Sequence, residues 1–150
     1  MTSIIILSIV GAVIAAAVGT FWYSDKTPMG KIHMQYLGFD KLSDEEKRQK
    51  MEEVKPKMKK IYGAQLALSF LTAFAVSYIT VIGMGRGGLT IWMVIGFILF
   101  NWICFIVPNI GTHILWGTCD PKIAWKKFFS DSFSVLVTLL ITTLLASLFV

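Results

Sequence analysis

The sequence predicts an all-α fold, a four-helix transmembrane bundle with a short cytoplasmic helix in the first loop. Three observations predict it. The chain has 150 residues, of which 55% are hydrophobic and only 15% charged, and its mean hydropathy is +0.69. Soluble domains carry about 25% charged residues, and a globule this small cannot hide so much apolar surface from water. The charges are also confined: residues 1–24, 61–85 and 87–119 carry none. Finally, four apolar stretches have the length that crossing about 30 Å of hydrocarbon demands of a helix, about 20 residues.

The first span runs from residue 3 to 22 and meets Phe21-Trp22-Tyr23, an interfacial anchor. Ala15-Ala16-Ala17 loosely resembles a cleavage site. The leading Met1-Thr2-Ser3 holds no Lys or Arg, however, and the apolar run is long for a signal peptide, so the segment is expected to stay as a span. The second span is expected over 61–83, the third over 89–110 and the fourth over 128–150, all within a single membrane domain. In the third, the charge-free run continues to Cys119, too far for one straight crossing. Pro108 and Gly111 predict a kink or an end, and Trp116 then falls at the interface.

The first loop, 23–60, holds Ser43-Asp44-Glu45-Glu46, a capping box. It predicts a helix from Asp44 to about Val54, with Pro56 ending it or opening the next one. Gly85-Arg86-Gly87-Gly88 predicts a tight hairpin, and Asp120-Pro121 predicts an N-cap and first helical residue leading into the fourth span. Loops one and three carry ten and three Lys/Arg, and the opposite side only Arg86. The positive-inside rule therefore places the basic loops in the cytoplasm and both termini outside, in the cell (plasma or inner) membrane.

At this point several short motifs can be set side by side: Trp22-Tyr23-Ser24, Gly30-Lys31, Leu37-Gly38, Met58-Lys59-Lys60-x-Tyr62, Trp92-x-x-x-Gly96-Phe97, Trp116 and Trp125-Lys126-x-Phe128. Together they resemble the domain of unknown function family 1761, across nearly the whole chain. The resemblance implies a small four-helix membrane protein and supplies no catalytic residue. It also implies a histidine early in the fourth helix, where this chain has Val135.

Chemistry-bearing residues are few. Asp131 is the one charge inside an apolar span, about 5 Å past Phe128, and Lys127 lies one turn before it. A carboxylate that shallow can reach the interface, and an exposed pair of this spacing contributes only a few tenths of a kcal/mol. Asn109, His113, Gln65, Tyr23 and Ser24 are expected at the same membrane level, so that with Asp131 they form a candidate polar vestibule. Asp131, Ser134, Thr138 and Thr142 share a helix face, and Asn101 is their natural partner across the bundle. Gly11, Ala15 and Gly19 form a small-residue ridge for close helix packing, within the chain or with a second copy.

Other motifs carry no chemistry. Gly83-x-Gly85-x-x-Gly88 follows no strand, so its match to a dinucleotide fingerprint is one of letters only. His33, His113, Cys119 and Asp120 have no metal-selecting spacing. No metal or cofactor is expected. The net charge of +5 sits in a mixed, solvated loop, which argues against nucleic acid. The expected partners are the lipid bilayer and a homo-oligomer or another membrane protein. The sequence thus places a non-enzymatic structural or accessory membrane protein first. A small-solute transporter or channel subunit comes second, and a lipid-headgroup enzyme using Asp131 and His113 third.

Overall fold

In the computed structural model, which describes residues 2–115 and 120–150 (without the side chains of Lys59 and Leu115), the elements follow one another as helices. They are α1 (Thr2–Trp22), α2 (Pro28–Tyr36), a 3-10 turn (Phe39–Lys41), α3 (Asp44–Gly85), α4 (Ile91–Asn101), a π-helical turn (Trp102–Ile106), α5 (Val107–Leu115) and α6 (Pro121–Ser147). Four stretches are long and apolar enough to cross a membrane: Thr2–Trp22, Lys60–Gly85, Ile91–Ile114 and Pro121–Ser147. The all-α bundle holds.

Two local expectations change. The helix opened by the capping box does not end near Val54, because α3 runs unbroken through Pro56 to Gly85. Proline removes one backbone hydrogen bond, freeing the Glu52 carbonyl. The residues around it are exposed, so water can take that acceptor. The capping box itself is intact: Ser43 Oγ accepts from the Glu46 amide at 3.3 Å, and Glu46 Oε2 accepts from the Ser43 amide at 2.8 Å. The separate short helix of the first loop is therefore α2, at 28–36.

The third span does not break at Pro108 either. The π-helical turn absorbs the proline: the Val107 amide reaches back five residues to the Trp102 carbonyl. A widened turn makes room for a ring that would otherwise press on the carbonyl four residues before it. The helix then continues to Leu115, while Trp116 and Cys119 lie outside the described residues.

The hairpin after α3 closes by two backbone bonds, Gly87 N–H to the Ile82 carbonyl (3.1 Å) and Leu89 N–H to the Gly83 carbonyl (3.0 Å). Gly88 takes the left-handed conformation (φ 64°), which only glycine adopts without strain. Asp120 caps α6, accepting from the Lys122 amide at 2.8 Å, with Pro121 at the first helical position.

α1, α3 and α6 form a three-way packing unit. A Cβ on Gly11 would lie 2.7 Å from the Ala73 Cβ and 3.1 Å from Thr142 Cγ2, so the small-residue ridge is used inside the chain at that point. Val94 and Ile98 of α4 join Val76 and Leu139 in a second apolar cluster, which attaches the third span to α3 and α6. The outer faces carry exposed Leu66, Leu71, Trp92, Phe97, Phe100 and Phe105, as a lipid-facing surface requires.

Candidate functional site

The site begins where the chain leaves α1. Thr27 is the N-cap of α2 and accepts from the Gly30 amide at 2.9 Å, while its own hydroxyl proton lies between the Trp22 and Ser24 carbonyls (2.7 and 2.9 Å). One side chain thus ties the last carbonyls of α1 to the first amides of α2. The turn is so tight that a Cβ on Gly30 would lie 1.8 Å from the Ser24 carbonyl oxygen. At the other end of α2, Gly38 is left-handed (φ 74°) and its amide bonds to the Gln35 carbonyl at 2.9 Å. Fixed at both ends, α2 folds back and packs on α6.

Beneath α2 lies an ionic cluster. Lys127 of α6 is 5% exposed and donates to Asp131 Oδ2 one turn later. The Tyr23 hydroxyl donates to Asp131 Oδ1 at 2.7 Å. The Lys127 ammonium also stands 5.0 Å from the centre of the Tyr23 ring and 5.8 Å from that of Tyr36, within cation–π range. Trp22 Nε1–H donates to Ser130 Oγ at 3.0 Å and completes the attachment of α1 to α6. Asp131 therefore does not reach out to the interface. It is paired inside the protein, where removal of either charge strands the other.

Two groups next to the pair are perturbed. Burial, with the Asp131 carboxylate second, pushes the Tyr23 phenol well up, so it stays protonated and donates. The His33 ring lies 4.9 Å from that of Tyr23. Burial first and the Lys127 charge second hold its pKa below the ordinary value, against an opposing pull from Asp131. Its Nδ1 is buried with no partner among the described residues.

A cavity of about 230 Å³ lies between α1, α3 and α6. Tyr23 stands at one end and Gly11 with Thr142 at the other. Between them Ala15 and Gly19 leave room on α1, Gln65, Ser69 and Thr72 come from α3, and Ser134 and Thr138 from α6. The threonine hydroxyls spend their protons on carbonyls of their own helices: Thr72 on Leu68 (3.0 Å), Thr138 on Ser134 (3.0 Å) and Thr142 on Thr138 (2.9 Å). What they can still offer is oxygen lone pairs.

The vestibule residues read from the sequence divide accordingly. Tyr23 and Asp131 meet directly, Gln65 lines the cavity, and Ser24 contributes its carbonyl to the turn. Asn109 and His113 are exposed on α5, and neither bonds to Asp131 among the described residues. Ser134, Thr138 and Thr142 face the cavity as one stripe. Asn101 does not bond to them, because its amide donates to its own Phe97 carbonyl at 2.8 Å. The reach across to α6 comes from Trp102, whose indole donates to the Ser132 carbonyl at 2.9 Å.

Sequence reasoning missed His33, Tyr36 and the burial of Lys127. The available signal was Thr27-Pro28-x-Gly30, a cap and tight turn that commit the chain to fold back.

The family model described as "Protein of unknown function (DUF1761)" matches residues 6–147. The chain belongs to this family. No curated protein and no solved structure matches it. In this DUF1761 protein the motifs around Trp22-Tyr23-Ser24, Gly30 and Leu37-Gly38 are the ones that close the α1–α2 junction over the Lys127–Asp131 pair.

The pair predicts a non-additive mutational cycle in this DUF1761 chain. Lys127→Met and Asp131→Leu should each cost about 3–5 kcal/mol, and the two combined much less than their sum. Exposed Lys126→Ala should change stability by less than about 0.5 kcal/mol. Equilibrium unfolding in micelles measures all four, and additive single effects would refute burial of the pair.

His33 predicts a pH dependence. Its folded pKa is depressed, so as pH falls the unfolded chain takes up the proton first. The stability it contributes is full above about pH 6.5 and is lost as pH drops through the folded value. Thermal unfolding of the wild type should weaken over that window, and His33→Asn should flatten the curve. Identical pH profiles for the two proteins would exclude His33 as the titrating group.

Proposed function

We propose that this protein binds a small, neutral polar solute in the α1–α3–α6 cavity and serves as a transport component of the cell membrane. In this reading both termini are outside and the ionic cluster faces the cytosol. The observation that carries it is the cavity wall, where hydroxyls of α3 and α6 and the exposed Gln65 amide open onto one void among otherwise apolar spans. In hydrocarbon, polar groups gain most from facing each other or a polar guest. None of the described lining residues carries a formal charge, so the wall offers no counter-charge to an ion. Its lone pairs favour a solute rich in N–H or O–H donors.

The structural or accessory reading also has an observation in its favour. Ser8, Thr80 and Thr143 are buried and likewise bond to their own helix, at Ile4, Val76 and Leu139, which is how hydroxyls behave when they serve packing alone. A lipid-headgroup enzyme has less support. It rests on the pairing of Asp131 with His113, and His113 is exposed on α5 without a bond to Asp131 among the described residues.

Proteoliposomes containing the protein should admit urea or glycerol faster than empty liposomes, measured by stopped-flow light scattering. Thr138→Val with Ser134→Ala should reduce that excess by about thirtyfold, since each of the two lost hydrogen bonds contributes about 1 kcal/mol. Equal rates for wild-type and empty vesicles would favour the accessory reading.

The orientation has its own test. With Cys104 and Cys119 replaced by serine, Arg86→Cys should react with an impermeant thiol reagent on intact cells, and Glu45→Cys only after permeabilisation. The opposite pattern would invert the topology.

A further inference from the structure

The residues of α3 ahead of Lys60, where its apolar stretch begins, extend the helix by roughly 24 Å. They are exposed almost throughout. Within this charged extension Met51, Val54 and Met58 fall at spacings of three and four and share one face. Met51 is 51% and Val54 43% exposed, so nothing among the described residues covers the seam there.

The charges around the seam are sorted by sign. At 100° per residue, Arg48 and Lys55 flank it on one side and Lys50 and Lys57 on the other. Glu45, Glu52 and Glu53 lie toward the opposite face. Arg48 bonds to Glu45 at 2.9 Å, and Lys50 stands 5.9 Å from the centre of the Phe39 ring, but both remain on the exposed surface. Ahead of the seam, Lys47 is paired with Asp44 at 3.3 Å.

We infer that the α3 extension is a docking seam for an acidic amphipathic helix of a partner protein. Met51, Val54 and Met58 supply the apolar anchors of a helix-on-helix contact, and the four flanking bases select Asp and Glu beside the partner's own seam. Charge complementarity argues against a second copy. Two such seams would set base against base in either relative direction, and like charges at flanking positions oppose pairing. A membrane surface fits less well, because α3 runs unbroken from this extension into a span, which holds the extension off the plane of the lipid.

The test uses the full chain in nanodiscs of neutral lipid. The probe is a fluorescent three-heptad peptide with leucine at the seam positions and glutamate flanking them. It should bind, with affinity falling as salt is raised. Met51→Gln with Val54→Gln should weaken binding at least about tenfold, as loss of buried anchors does. Lys55→Glu with Lys57→Glu should weaken it similarly, and a lysine-flanked peptide should not bind. Circular dichroism of each variant establishes that the helix persists. Failure of the acidic peptide to bind, or equal binding by the two seam variants and the wild type, would overturn the inference. So would seam-dependent self-association in sedimentation, or seam-dependent capture of anionic vesicles in place of the peptide.

Discussion

Hydrocarbon offers no partner for a backbone amide, so every segment that enters it must bond within itself. This constraint explains the places where the chain departs from a plain helix. Pro108 sits inside the third span and cannot donate, and the π-helical turn before it lets the span continue, with the Val107 amide reaching Trp102. Pro56 meets the same problem outside the apolar stretch, where water can resolve it, and α3 needs no such adjustment. Apolar spans also explain why small residues and hydroxyls, rather than large apolar side chains, sit between α1, α3 and α6. Lipid is as apolar as leucine, so close backbone approach supplies the association energy. Gly11 against Ala73 is one such approach.

The same logic produces the ionic cluster. A lysine and an aspartate one turn apart at the mouth of a span would ordinarily remain in the headgroup zone. Here a nine-residue helix is bent back over them, held by Thr27 at its start and Gly38 at its end. Tyr23 then has a fixed position between two environments. Its hydroxyl is committed to Asp131, and its ring faces Lys127 on one side and His33 on another. The residue also lines the cavity, so the cluster and the cavity share a wall.

The motifs through which the chain resembles its family gain a physical meaning from this arrangement. Gly30 is there because no other side chain fits against the Ser24 carbonyl, and Gly38 because the chain must turn left-handed to leave α2. Trp22 and Tyr23 are the donors that reach Ser130 and Asp131, 108 residues away in each case. These are requirements of the junction, and they hold whatever solute or partner the protein serves.

The four apolar stretches, the N-caps at Ser43 and Asp120, the hairpin and the shared face of Ser134, Thr138 and Thr142 were legible in the sequence. Each depends on spacing along one helix or on the chemistry of one turn. Those are local properties, and lipid enforces them segment by segment. The burial of Lys127, the approach of His33 and Tyr36, the exposure of His113 and Asn109 away from Asp131, and the turning of Asn101 to its own helix depend on how separate segments meet. No periodicity within a segment encodes that meeting. It was decided by α2 folding onto α6 and by the three-way packing around Gly11, because only a packed structure determines which polar groups find one another.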